Sequence, residues 1–167
     1  GQYQLQLQEL DLVELIEEIF EVNRLDADEK QLSLHRDSPA RCLLQCDSRL
    51  LARAIENVLR NAIKYSPAES LILCTLKQHE QQLELLIQDQ GPGVPEESLS
   101  QIFAPFYRVS DSRNSATGGT GLGLAIAAQA AKQHGGSISA SLPDSGGLCI
   151  EFTFANRSSP VCRYSQC

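Results

Sequence analysis

Asn57, Asn61 and Lys64 stand four and three residues apart, the spacing that gathers side chains on one face of a helix. Two amide oxygens so placed can ligate magnesium when phosphates and waters complete its shell, and the lysine can neutralise phosphate. Solvated helix residues would fit the same positions. Yet asparagine is a poorer interior helix former than alanine by about 0.5 kcal/mol, so two of them one turn apart ask for a reason. A second group is Asp89, at the end of an apolar run and followed by Gln90-Gly91-Pro92-Gly93. A carboxylate there can accept a hydrogen bond from an exocyclic amine such as that of adenine, and the glycines let a flat ring approach the backbone. A plain turn with an aspartate cap fits the same residues. The third group is Gly118-Gly119-Thr120-Gly121-Leu122-Gly123, which opens an alanine-rich segment. Free amides and the positive end of a helix dipole bind anions at such a start, and close packing is the alternative use of the glycines. Arg108 adds a forked guanidinium suited to phosphate.

These groups need elements to hold them. Apolar residues at 12, 15, 16, 19 and 22 mark one face of an amphipathic helix over 11–27. Strands are expected at 32–36 and 41–46, joined as a hairpin across Ser38-Pro39. Asp47 is a good N-cap for a helix to about Lys64, with Leu51, Ile55, Val58 and Ala62 on its buried stripe. Strands follow at 71–77 and 83–89. The connection from Val94 to Gly119 is too long for an ordinary loop and reads as a movable lid, with 110–118 expected to be its mobile part. A helix to about His134 and strands at 137–142 and 147–154 close the domain. Helices alternating with strand pairs predict an α/β (α+β) two-layer sandwich, one layer of three helices on one mixed sheet. Residues 10–155 form that domain. The segment 1–9 reads as the trailing end of something longer, outside the fold, and 156–167 as a polar tail.

Composition excludes several classes. The 167 residues are 42% apolar and 21% charged, the balance of one globular domain, and the net charge of −7 argues against a nucleic-acid surface. No stretch has the roughly 18 apolar residues of a membrane span. The six cysteines, at 42, 46, 74, 149, 162 and 167, form no CxxC pair and read as free thiols in a reducing compartment. No GxxxxGK[ST] phosphate loop is present, and the glycines at 119, 121 and 123 do not follow a strand, as a dinucleotide fingerprint would require.

Taken together, the groups resemble the motifs of sensor histidine kinases. Asn57-Val-Leu-Arg-Asn61-Ala-Ile-Lys64-Tyr65-Ser66 resembles the N box, and Asp89-Gln-Gly91-Pro-Gly93 the first glycine box. Ile102-Phe103-Ala-Pro105-Phe106-Tyr107-Arg108 resembles the F box, and Gly119-Thr120-Gly121-Leu122-Gly123 the second glycine box. The four stand in the family's order, and the resemblance spans about 10–155. It implies the Bergerat ATP-binding sandwich with a nucleotide lid, and ATP and Mg2+ as ligands. Asn57 and Asn61 would hold the metal, Lys64 and Arg108 would contact phosphates, and Tyr65 would pack near the adenine. Asp89 would bind the adenine amine, Gly91 and Gly93 would border it, and the backbone from Gly119 through Thr120, Gly121 and Leu122 to Gly123 would cradle the phosphates.

The same fold serves ATPases resembling DNA gyrase, MutL-type repair proteins and heat-shock chaperones. Those carry a water-activating glutamate four residues before the metal-binding asparagine. Here that position is Asn57, which cannot act as a general base, and Glu56 lies about 100° around the helix. A regulatory nucleotide-binding module without transfer activity is the other alternative. Phosphoryl transfer needs an acceptor imidazole, and the family's H-E-x-x-x-P motif is absent from this chain. The sequence around His35 resembles it only faintly, lacking the glutamate, and His79 and His134 read as structural, the latter as a cation suited to a helix end. By resemblance the acceptor sits on separate dimerisation helices of a membrane-anchored parent, this domain lies on the cytoplasmic side, and a response regulator is the eventual partner.

Overall fold

The computed structural model describes residues 3–108 and 121–156. Seven strands and four α-helices are defined within them. Strand β1 (Gln8–Asp11) leads into α1 (Leu12–Val22) and the short α2 (Arg24–Glu29), followed by β2 (Ser33–Asp37) and β3 (Leu43–Cys46). Helix α3 (Ser48–Tyr65), β4 (Leu71–Gln78) and β5 (Gln82–Gln88) come next, then α4 (Gly123–Gln133), β6 (Ser137–Ser141) and β7 (Cys149–Ala155). The two-layer sandwich expected from the sequence is present. Five strands form a mixed sheet in the order β2-β4-β5-β7-β6, with β2 parallel to β4 and every other pairing antiparallel.

Alternation along the central strands sends Ile72, Cys74 and Leu76, Leu83, Leu85 and Ile87, and Ile150, Phe152 and Phe154 to one buried face. Helices α1, α3 and α4 cover that face. The stripe of α3 comprises Leu51, Ile55, Val58 and Ala62 as expected, widened by Ala54, Leu59 and Ile63. Four cysteines, Cys42, Cys46, Cys74 and Cys149, are free and buried. Burial pushes the Cys42 and Cys46 thiols up to about 11 and Cys74 to about 12, so they stay protonated and act as small apolar side chains. Cys162 and Cys167 lie outside the described residues.

Three expectations change. Residues 8–9 belong to the fold, because β1 pairs antiparallel with β3, Gln8 opposite Cys46 and Asp11 opposite Leu43. The hairpin between 32–36 and 41–46 does not form: β2 pairs with β4 in the large sheet and β3 with β1 in a separate two-stranded sheet. Asp11 directs this, its Oδ1 accepting from Val13 N at 3.0 Å as the cap of α1 and from Cys42 N at 3.0 Å, which draws the start of β3 to the start of α1. The helix expected over 11–27 breaks at Asn23, whose buried side-chain amide donates to Ile19 O at 2.8 Å and ends α1 before α2 begins.

A clasp joins the first residues to the start of α3 and the end of α4, which lie side by side. Asp47 caps α3 through Leu50 N at 3.3 Å, and its other oxygen accepts from Tyr3 Oη and Gln6 N, each at 3.0 Å. Its own N–H donates to His134 Nε2 at 3.0 Å, while His134 Nδ1 lies 2.7 Å from Ala130 O. With Nε2 as the acceptor, Nδ1 is the ring donor, facing the Ala130 carbonyl. The donors around Asp47, the Gln6 N–H first, hold its carboxyl below its ordinary value. A depressed folded pKa contributes stability above the unfolded value near about 4 that is lost as pH falls through the folded one. Asp47→Ala is expected to cost about 1–2 kcal/mol in urea unfolding at pH 7, with the difference from wild type narrowing in acid below that range.

Candidate functional site

The end of α3, the segment after β5 and the start of α4 bring most of the sequence-predicted residues together. Asp89 follows β5 and is 5% exposed. The two hydrogen bonds that its carboxylate accepts from described residues both land on Oδ1, from Gly91 N at 2.9 Å and Leu148 N at 3.1 Å. Its own N–H donates to Leu148 O at 3.1 Å. Burial pushes the carboxyl above its ordinary value, and the two N–H donors pull it partly back. The result is a sheltered carboxylate held in orientation by one of its oxygens.

Gly91 sets that carboxylate against α3, since a Cβ there would lie 2.6 Å from Tyr65 O and 3.2 Å from Asp89 Oδ1. Gly93 sits beside the Gly147 carbonyl. Lys64 Nζ lies 5.2 Å from the centroid of the Tyr65 ring, which is half exposed. Asn57 and Asn61 are half-buried on the same helix. The Asn57 amide packs against Gly123, whose ideal Cβ position has three atoms of that side chain as its nearest neighbours at 3.7–3.8 Å. Asn57 Nδ2 is buried and has no hydrogen-bond partner among the described residues, an uncommon state for a polar group.

Gly123 begins α4, and its N-cap residue, Leu122, makes no side-chain capping hydrogen bond. Just before it, Gly121 O accepts from Phe106 N at 2.9 Å, which joins the end of the F-box-like segment to the second glycine cluster. Gly121 has φ +74, and a Cβ there would lie 2.9 Å from Phe106 Cα, so only glycine suits this crossing. Leu122 is half-buried and its carbonyl receives Ile126 N at 2.9 Å. Arg108 is exposed. Gly119, Thr120 and the stretch 110–118 lie outside the described residues. The first part of the expected lid is packed: Ile102 is buried in the core, and Tyr107 Oη donates to Ser98 Oγ at 2.9 Å.

Sequence reasoning misses two contributors. Leu148 supplies the second donor to Asp89, across a turn where Gly147 has φ +82. The Gly146-Gly147 doublet is the available signal, but a strand expected from 147 hides it, whereas β7 starts only at Cys149. Lys30 donates to carbonyls at the end of α3, a link across more than thirty residues that no local pattern announces. The histidines stand apart from this site: His35 is exposed on β2, and His79 lies in the β4–β5 turn, 3.5 Å from Glu84. A cavity of about 250 Å³ between Leu7, Leu44, Lys132, His134 and Phe154 is at the opposite end of α4 and belongs to the N-terminal clasp.

The chain has relatives of known family and fold. Residues 46–158 match the family described as histidine kinase-, DNA gyrase B- and HSP90-like ATPase. The chain is 35% identical over 132 residues to the sensor-like histidine kinase SenX3 of Mycolicibacterium smegmatis, covering 79% of this chain and 34% of that protein. It thus spans about a third of the length of that curated relative. The mycobacterial sensor histidine kinase MprB has a similar structure, with TM-score 0.77 and 30% identity over 89% of this chain and 97% of that one. Histidine kinase ThkA, solved in complex with response regulator protein TrrA, shares the fold at TM-score 0.77 and 22% identity, covering 90% of this chain and 42% of that one. Four motifs in order, a five-stranded mixed sheet under three helices and a family match over two thirds of its length place this chain in the histidine kinase-, DNA gyrase B- and HSP90-like ATPase family, among the ATP-binding domains of sensor histidine kinases.

Proposed function

We propose that the domain binds ATP with magnesium between the end of α3, the Asp89–Gly93 segment and the start of α4, and donates the γ-phosphate to a histidine on separate dimerisation helices of a longer sensor kinase. The observation that carries this reading is Asp89, a buried carboxylate with both hydrogen bonds from described residues on one oxygen, which leaves Oδ2 to accept from the adenine amine. The wall that Tyr65 and Gly91 form beside it suits a flat ring. The start of α4, where Leu122 provides no side-chain cap, offers its N–H groups to the phosphates, with Lys64 and Arg108 as the neutralising cations.

The residues present fit magnesium that arrives with a nucleotide. Among the described residues no three His, Cys, Asp or Glu side chains gather to hold a metal, whereas the Asn57 amide, orphaned at Nδ2, and Asn61 one turn on offer oxygens. Amide oxygen and nitrogen exchange places by a simple flip, so the orphaned group serves a phosphate or a metal equally. The metal would supply charge neutralisation on the phosphates. Catalysis by this chain is positioning: Asp89 fixes the base, and α3 and the start of α4 orient the phosphates towards an acceptor. Asn57 in place of a basic glutamate favours transfer over hydrolysis.

Calorimetric titration with a non-hydrolysable ATP analogue tests the site. Asn61→Ala is expected to weaken binding about tenfold in magnesium and to leave the metal-free affinity unchanged. No binding by the folded wild type would reject the assigned pocket. Transfer itself is tested by adding the histidine-bearing helices of the full-length protein and following label from γ-labelled ATP onto them. ThkA is known in complex with a response regulator, and by analogy such a protein is the onward acceptor here. No helix among the described residues is long and apolar enough to cross a membrane, so anchoring of the parent would come from other segments.

A further inference from the structure

An α-helix ends with four carbonyls that lack intrahelical partners. At the end of α3 these belong to Ala62, Ile63, Lys64 and Tyr65, the stretch that also carries the site. Ser66 takes the first, donating to Ala62 O from its N–H at 3.0 Å and from Oγ at 2.7 Å. The next two are taken from a distance. Lys30 Nζ donates to Ile63 O at 2.9 Å and Lys64 O at 2.8 Å, and also to Ser66 O at 3.1 Å. Tyr65 O, which Lys30 does not touch, is the atom that Gly91 meets beside Asp89.

We infer that Lys30 is a positioning residue for the nucleotide site, its ammonium fixing the last turn of α3 so that Tyr65 abuts Gly91 and Lys64 and Asn61 keep their aim. Three carbonyls around one ammonium exceed what a helix end needs for solubility, since an exposed end is satisfied by water. They lock the chain on both sides of Tyr65, which neither Ser66 nor the interior of the helix does. The position of Lys30 is itself determined: it caps α2, and its carbonyl receives Glu69 N at 3.0 Å, so the strand-side connection after α3 is gripped by backbone as well as side chain. A cation near a helix C-terminus also complements the dipole, but that contribution acts on any part of the last turn and would not select one orientation of Tyr65.

This rests on the ATP reading above, and the test separates the two. The full 167-residue chain is titrated with non-hydrolysable ATP and GTP analogues, well below the melting temperature of each variant. Lys30→Met is expected to weaken the ATP analogue about tenfold and to narrow the ATP-over-GTP preference, because the wall beside the base loosens. Lys30→Arg, whose guanidinium keeps several donors, is expected to recover most of the affinity. Leu32→Ala, a core change just after α2, lowers melting but removes none of the Lys30 hydrogen bonds to the end of α3 and is expected to bind like wild type. Should Lys30→Met not fold, Lys30→Gln takes its place. Unchanged affinity and base preference in a variant that merely melts earlier would overturn the positioning role while leaving the ATP site intact. If wild type fails to bind, both readings fall.

Discussion

Asp89→Asn is expected to lose at least about 100-fold in affinity for an ATP analogue, close to 3 kcal/mol, while the domain without nucleotide becomes more stable at pH 7. Asparagine keeps an oxygen for Gly91 N and Leu148 N but puts an amide N–H where a carboxylate oxygen stood. A base amine then meets a donor instead of an acceptor, and a site built around one hydrogen bond rejects such a mismatch strongly. The stability gain follows from the sign of the pKa shift. Burial raises the folded pKa of Asp89, so the ionised carboxylate costs stability above that value. As pH falls through it towards the ordinary carboxylate pKa near about 4, the wild type takes up a proton and the cost disappears. The gain of the asparagine variant should therefore be full at neutral pH and absent in acid. Paired calorimetry and thermal melts from neutral pH down into the acid range check both halves; a variant that binds normally would remove Asp89 from the site.

Gly147→Ala is expected to destabilise the domain by about 3 kcal/mol or more and to impair nucleotide binding in whatever remains folded. Its φ is +82, where a Cβ is strained, and that Cβ would fall 2.0 Å from Asp89 O and 3.1 Å from Asp89 Oδ1. Relief requires the 147–148 turn to move away, which breaks the paired bonds between Leu148 and the Asp89 backbone and carboxylate. Gly146→Ala is the control: its φ is +95, but a Cβ there meets nothing within 4 Å, so it carries backbone strain without the collision. Urea unfolding of the two variants side by side isolates the collision, and equal losses would show that backbone strain alone matters.

The helix that bears Asn57, Asn61 and Lys64 is legible in the sequence because both of its signals are local. Asp47 caps it, and the apolar residues recur at helical spacing, so its span and buried stripe follow from about twenty residues of sequence. The central strands are legible for the same reason, each alternating towards one buried face. Pairing is not. Period-two alternation says which face a residue takes but not which strand lies beside it, and β2 and β3, adjacent in sequence, end in different sheets because Asp11 and β1 claim the second of them.

A similar division runs through the site. Residue types and spacing within single segments are enough to nominate Asp89, the asparagines and the glycine clusters, and to tie them to one family, since chemistry at a helix face or a strand end is written locally. Their assembly depends on contacts between distant segments: Leu148 on Asp89, Gly91 on Tyr65, Gly123 on Asn57 and Lys30 on the end of α3. Each is a main-chain group or a long side chain meeting a backbone, and backbone groups are the same at every residue. No sequence pattern can mark them, so it is the packing of the two layers that sets the Asp89–Gly93 segment and the start of α4 against α3.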